Sequence, residues 1–366
     1  MASPPGGHRR QHIGASGKGA VENGSGLPAI APEPQFSVLS GPFTSDFSLT
    51  LASSDPTAEI RYTTDGTIPT DSSTLYTAPI SINTTTQIRA RSFNTGSLPS
   101  VVGSEAYLKL AADAQAFTSS LPLVVIENFG AGSIPIDIKE PAQMSIFEPI
   151  GGVTSLTSAP SIDTRIGIEL RGSTTLNNPK QNFSIEAWDQ ENDDKNISPF
   201  GMPNEGDWIL YAPYNFDRAL IRNALMYELS NQAGRYAPRT RFVEVFQNTN
   251  GGELTMADYV GVYVFMERIE RDNGRVDIEK LSSKYDTAPL IEGGYALKID
   301  RLGPGEVGFT TNINSPQQTD VPTKFVYVEP KEDEISAAQA NWIQTYLNDF
   351  ESALYGGNFT DPVLGY

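Results

Sequence analysis

The 366 residues carry 44 acidic against 26 basic side chains, and the formal charge of -18 repels phosphate backbones and anionic headgroups, arguing against nucleic acid as a partner. With 0 cysteines, disulfides, thiolate nucleophiles and cysteine-based metal sites are excluded, and both histidines, His8 and His12, fall in a Gly/Ser-rich start. Ser-His-Asp, Cys-His and His-metal chemistry are thereby removed from the folded part, leaving carboxylates, lysine, arginine and an external metal.

The length exceeds what one core usually supports, so about two folded units are expected. No run approaches the ~18 apolar residues that a membrane span requires, and the start at Met1 lacks the apolar core of a signal peptide. Residues 1–34 are Gly, Ser, Pro and Ala without periodicity and are expected to form a disordered leader. From 35 to 110, alternating runs at 47–51, 59–63, 86–93 and 101–110 are separated by turn chemistry, which predicts a small all-β sandwich. Inside it, Ile60-Arg61-Tyr62-Thr63 precedes an Asp65-Gly66 turn, where glycine accepts a positive φ. Continued by Tyr76-Thr77-Ala78-Pro79-Ile80 and Ile88-Arg89-Ala90, this phrase resembles the chitobiase/β-hexosaminidase C-terminal-like module of bacterial secreted proteins over 34–108. That resemblance implies a carbohydrate or cell-surface polymer as a partner and an extracellular or cell-surface location.

Residues 111–119 read as a linker, and 121–126 opens a second domain with a β-branched run suited to a buried strand. Further strands are predicted at 165–170, 182–188, 241–246, 260–268, 294–299 and 324–329. A first helix is predicted over 217–232, with Leu220, Ile221, Ala224, Leu225 and Leu229 on its buried face. A second begins near Ser336, where Gln339 completes a capping box, and is expected to bury Trp342, Ile343, Tyr346, Leu347, Phe350 and Leu354. Strands with one helix among them, then a helix opening a new region, suggest an α+β lobe cut off early.

Leu170-Arg171-Gly172-Ser173-Thr174-Thr175, followed by Pro179-Lys180-Gln181-Asn182-Phe183, sets a glycine turn, three hydroxyls and two cations around a strand junction. Such a turn can hold phosphate oxygens on amides and hydroxyls, with Lys180 neutralising charge; its plain alternative is a polar turn with Lys180 in solvent. Gly303-Pro304-Gly305-Glu306-Val307-Gly308 satisfies G-x-G-x-x-G, yet Pro304 lacks an amide proton, Glu306 would repel phosphate and no helix follows, so it reads as an ordinary loop.

Several longer phrases are distinctive: Asp207-Trp208-Ile209-Leu210-Tyr211-Ala212-Pro213-Tyr214, the segment 217–229, Arg239-Thr240-Arg241-Phe242-Val243-Glu244-Val245, and Gly261-Val262-Tyr263-Val264-Phe265-Met266-Glu267-Arg268-Ile269. With Arg275-Val276-Asp277-Ile278 and Gly293-Gly294-Tyr295-Ala296-Leu297-Lys298-Ile299-Asp300, they resemble the spine of the spore-coat CotH kinase family over 121–366. The resemblance implies an atypical protein kinase with an α+β kinase-like N-lobe, transferring phosphate from ATP, with Mg²⁺ or Mn²⁺, to serine or threonine of coat or surface proteins. Chain order then places the phosphate cation at Lys180, a helix carboxylate at Glu228 and the adenine edge at Tyr327-Val328-Glu329, with Arg171 and Arg222 as further nucleotide-binding candidates. Glu267 competes with Glu228 for the lysine. The alternatives are a solvated Glu228 beside Arg222 or Arg235, a Glu267 paired with Arg268 or Arg271, and an Arg222 held by a carboxylate.

The family's Asn/Asp-rich catalytic loop and Trp-Asp metal motif do not occur before Tyr366, so the resemblance implies an incomplete kinase: no catalytic residue or metal ligand, the C-lobe missing, and no activity as it stands. A competing expectation is a non-catalytic surface or carbohydrate-associated binding protein. A glycosidase would need a carboxylate pair, and no phrase supplies one.

Overall fold

The computed structural model describes residues 28–303, 305–313, 323–356 and 360–362; most of the expected leader, 1–27, lies outside them. The front module is built on a five-stranded sheet in the order Gly41–Phe43, Gly103–Lys109, Thr86–Phe93, Glu59–Thr63, Thr74–Leu75, with Gln35–Phe36 paired to Leu51–Ala52 and Phe47–Leu49 paired to Ile80–Ile82. Leu49, Ile82, Ile88 and Tyr107 fill the space between these pieces, each at most 1% exposed, as the alternating runs require.

The second part is a closed barrel of seven strands. These are β1 (Leu123–Glu127), β2 (Glu140–Phe147), β3 (Ile162–Arg171), β4 (Asn182–Trp188), β5 (Asp207–Tyr211), β6 (Thr240–Asn248) and β7 (Tyr259–Glu267). Around the barrel the order is β1-β2-β3-β4-β5-β7-β6, and β6 closes it by pairing with β1, the one parallel junction in the ring. Side chains fill the interior: Val124, Met144, Ile166, Ile185, Trp208 and Phe265 are all at most 1% exposed.

The outer face of the barrel is also buried in two places, which explains why β1 and β7 read as continuous apolar runs rather than alternating ones. Leu123, Val125, Phe147 and Phe246 pack against Leu108, Leu110 and Ala114, and Ile209, Val264 and Met266 pack against Ala224. Segment 111–119, read as a linker, is therefore packed: Ala112–Gln115 makes one helical turn, Ala114 is 0% exposed, Thr118–Ser119 pairs with Thr154–Ser155, and the Phe117 ring meets Phe246 at 5.3 Å. A polar contact joins the two parts as well. Arg89 donates to the carbonyls of Gly66 and Gln190, while Arg165 donates to Gln87 at 2.9 Å and Asn192 at 2.6 Å. Burial, reinforced by the neighbouring Arg89, pushes the Arg165 guanidinium down to about 10.

Helix α1 (Arg222–Gln232) lies outside the barrel, and α2 (Ala337–Tyr355) follows a three-stranded sheet of β8 (Ala296–Ile299), β9 (Gly308–Thr310) and β10 (Lys324–Glu329) in the order β8-β10-β9. The described fold is thus two mainly β units with few helices, and the expected α+β lobe takes the form of a closed barrel with a helix on its wall.

Three local expectations are corrected. Helix α1 starts at Arg222 rather than 217, because Leu220 adopts a φ of 59° and buried Asp217 takes the amides of Ala219, Leu220 and Arg222 at 3.2, 3.1 and 2.8 Å. Its expected buried face holds only Ala224; Leu220, Ile221, Leu225 and Leu229 are exposed. In α2 the Ser336/Gln339 capping box forms and Ile343 is buried, but Tyr346 and Leu354 face outward, Tyr346 stacking on Trp342 at 5.4 Å.

Candidate functional site

The connection between β3 and β4 runs from Gly172 to Gln181, closed by the pairing of Arg171 with Asn182. Gly172 has a φ of 121°, and a Cβ there would sit 2.2 Å from the Thr175 hydroxyl, so only glycine fits the turn. A short 3-10 turn, Thr174–Asn177, follows, and the side chains of Ser173 and Thr174 are exposed.

Lys180 turns inward at this end of the barrel. Its Nζ donates to the Val262 carbonyl and lies 4.6 Å from the centroid of the Tyr263 ring, which is itself stacked 6.4 Å from Phe183 inside the barrel. The strand is locally bulged: Val245 pairs with Gly261 but Phe246 with Tyr259, and Gly261 has a φ of 99°. Burial lowers the Lys180 pKa, and no carboxylate among the described residues pairs with its amine. Beyond Lys180, the Asn182 side chain accepts from the Ala212 amide at 2.7 Å, tying this end of β4 to the end of β5.

The other predicted residues separate from Lys180. Arg171 is exposed at the end of β3 on the barrel's outer side. Arg222 opens α1, its Nε 3.5 Å from Asp217, with most of its side chain in solvent. Glu228 is exposed and accepts from Gln232 at 2.7 Å, so it pairs with neither Lys180 nor the arginines named for it. Glu267 is 0% exposed and committed to Arg239: it takes the Arg239 amide at 2.8 Å and the guanidinium, with the Tyr236 hydroxyl at 3.3 Å. Its partner is a strand-start arginine rather than Arg268 or Arg271. Glu329 ends β10, in a sheet separate from the barrel, with Arg271 Nε 3.9 Å away. Glu306 takes the Gly303 amide at 2.8 Å and the Lys298 amine at 2.5 Å.

The far end of the barrel holds a charged cluster whose carboxylates the sequence did not single out as a site. Carboxylate oxygens of Glu205, Asp207 and Glu270 lie within 4.8 Å of one another. Arg268 pairs with Asp207 at 3.1 Å, and buried Arg275 pairs with Glu270 while its guanidinium covers the Trp208 ring at 4.9 Å. Burial, then the Asp207 charge, raises the Glu270 carboxyl to about 7. Lys139 pairs with Glu186 on the outer wall nearby. The oxygen donors suit Mg²⁺ or Mn²⁺, but guanidinium groups already occupy two of the three carboxylates. Five residues of β5 and its end also separate Asp207 from Ala212 at the Lys180 end, about 16 Å of extended chain. The trio therefore does not fit a cation shared with a phosphate at Lys180.

No curated protein matches the chain. The family model described as Chitobiase/beta-hexosaminidase C-terminal domain matches residues 38–104, over the front module. The model described as CotH kinase protein matches residues 168–363, taking in the end of β3, the Gly172 turn, Lys180 and everything described after them. Spanning more than half of the sequence, that match shows that the chain belongs to the CotH kinase protein family.

Proposed function

We propose that, in the family's phosphoryl transfer from ATP to serine or threonine of surface or coat proteins, this chain's part is nucleotide binding, with the β3–β4 connection and Lys180 receiving the phosphate end. The observation that carries this reading is Lys180, a half-buried ammonium with no carboxylate partner among the described residues, beside a turn of exposed hydroxyls. An unpaired cation at the edge of low-dielectric surroundings attracts an anion far more strongly than one in open solvent. The Gly172 turn brings backbone close without a Cβ in the way, and Ser173 and Thr174 offer hydroxyl donors.

The Glu205, Asp207 and Glu270 cluster, two of whose carboxylates already pair with arginines, does not suit the metal that accompanies ATP in such chemistry. Within this reading the chain's own residues hold and neutralise phosphate. The front module supports an extracellular or cell-surface setting.

Titration with ATP, followed by calorimetry, tests the reading: the native chain should bind and Lys180→Ala should weaken binding about tenfold or more, the scale of one charge-assisted contact. Equal affinity of the two proteins removes Lys180 from the site. Transfer of radiolabelled phosphate to a serine or threonine substrate then tests the reaction.

A non-catalytic carbohydrate-binding role is favoured by one observation, a cleft of about 220 Å³ where Val38, Leu39, Phe43 and Phe47 of the front module face Thr157 to Pro160 of the second part. Retention on an immobilised glycan without any nucleotide dependence would support that role over phosphoryl transfer.

A further inference from the structure

Helix α1 turns its bulkiest apolar side chains away from the barrel. Its inner side is Ala224 with Tyr227, packed on Ile209, Val264 and Met266. At 100° per residue, Ile221, Leu225 and Leu229 make one outer row, and Met226 lies beside it. Leu225 and Leu229 are each 48% exposed and Met226 is 61% exposed, while Phe216 just before the helix and Tyr236 just after it are exposed as well. A helix apolar on both sides is the pattern of a covered helix, and a contiguous exposed apolar surface marks a place of interaction.

The rim of this surface is cationic. Arg218, Arg222 and Arg235 are all exposed around it, Arg222 with its Nε 3.5 Å from buried Asp217. Between 216 and 236 the only exposed carboxylate is Glu228, which accepts from Gln232. With Asp217, already paired with Arg222, counted beside Glu228, three arginines against two carboxylates leave a net charge of +1 on this apolar island of a chain of net charge -18.

We infer that the outer face of α1 is a docking surface for an acidic amphipathic segment of a partner polypeptide, its apolar row seated on Leu225, Met226 and Leu229 and its carboxylates facing the three arginines. Charge selects this occupant. An anionic membrane would present a plane of negative charge to the whole acidic chain, and a second copy would bring another -18. A single acidic segment meets chiefly the charges within a Debye length, about 8 Å at physiological salt, and those of the helix and its flanks sum to +1. The inference does not rest on phosphoryl transfer.

The test is fluorescence anisotropy with a labelled helical peptide carrying leucine at i, i+3 and i+4 and glutamate on its remaining face, beside a scrambled version and one with lysine for glutamate. The glutamate peptide should bind with a Kd of about micromolar order at low salt and lose about tenfold in affinity or more in 0.5 M salt. The double variant Leu225→Ser with Met226→Ser, and separately Arg218→Glu with Arg235→Glu, should each weaken it about tenfold or more. Circular dichroism and Tm should not change, since all four side chains are exposed. Absence of binding, equal binding of the scrambled or lysine peptides, or indifference to both variants would overturn the inference. So would a dimer in sedimentation that the Leu225→Ser and Met226→Ser variant abolishes, which gives the face to a second copy. Flotation with phosphatidylserine vesicles that the same variant blocks would likewise overturn it, giving the face to a membrane.

Discussion

Removing the arginine of the Glu267–Arg239 pair should cost more stability than removing the glutamate. Glu267 ends β7 with 0% exposure, whereas the Arg239 side chain is 41% exposed. In Arg239→Ala the carboxylate stays buried with two neutral donors, the residue-239 amide and the Tyr236 hydroxyl. Breaking a buried pair in this way costs about 3–5 kcal/mol, and the partial exposure of Arg239 places the expected loss near the lower bound, about 3 kcal/mol. In Glu267→Ala the arginine can keep its bonds to the Gly274 carbonyl, at 3.0 and 3.1 Å, or turn to water, so about 1–2 kcal/mol is expected. The assay is urea unfolding followed by tryptophan fluorescence, with Trp208 lying inside the barrel 5.4 Å from Phe265, on the same strand as Glu267. An Arg239→Ala loss below about 1 kcal/mol, or a reversed order of the two variants, would refute the reasoning and return Glu267 to the candidates for a nucleotide-lysine partner.

Gly167→Ala should destabilise the barrel by about 1–3 kcal/mol in thermal unfolding, because a Cβ there falls 2.1 Å from the rigid Trp188 ring. Burial, with the Asp258 charge adding to it, raises the Glu127 carboxyl from 4.5 to about 8 against the opposing Phe129 amide. An acid with a raised folded pKa contributes stability that is whole below pH 4.5 and is lost as pH rises through about 8, so Glu127→Gln should gain on the native chain between pH 5 and 9 in urea midpoints measured across that range. Arg165→Met should free the front module from the barrel wall, seen as faster proteolysis between 104 and 119, because Arg165 bonds Gln87 across the junction.

Much of the strand pattern was legible because it depends on local periodicity. The expected 59–63, 86–93, 182–188 and 324–329 strands match the structure to the residue. β2 was missed, its Glu140-Pro141-Ala142-Gln143 start resembling neither alternation nor an apolar run, and β5 was visible as a motif but not as a strand. Closure of the barrel could not be read at all, since it rests on β1 meeting β6 across more than a hundred residues. The 111–119 segment misled for the same reason: small polar residues look like a linker, but Ala114 and Phe117 are buried or half-buried by partners distant in sequence, including Phe246. In α1 the apolar spacing was real, while the direction of the face was not encoded in it.

The candidate site divides along similar lines. Chain order paired Lys180 with a glutamate, because a lysine and a carboxylate are the charged parts such a cleft needs. Geometry instead spends both glutamates elsewhere, Glu267 on Arg239 and Glu228 on Gln232. At the far end of the barrel Asp207, Glu267 and Glu270 each meet an arginine, and Glu205, the cluster's carboxylate without an ion pair among the described residues, would itself repel an anion. At the near end Lys180 has only a carbonyl and a ring face, both of which leave its charge uncompensated. The difference between the two ends is therefore electrostatic rather than steric: one already contains its counterions, and the other, beside the Gly172 turn, lacks one. Negative charge brought to Lys180 gains an interaction that no described carboxylate competes for, whereas at Asp207 or Glu270 it would have to displace an existing pair.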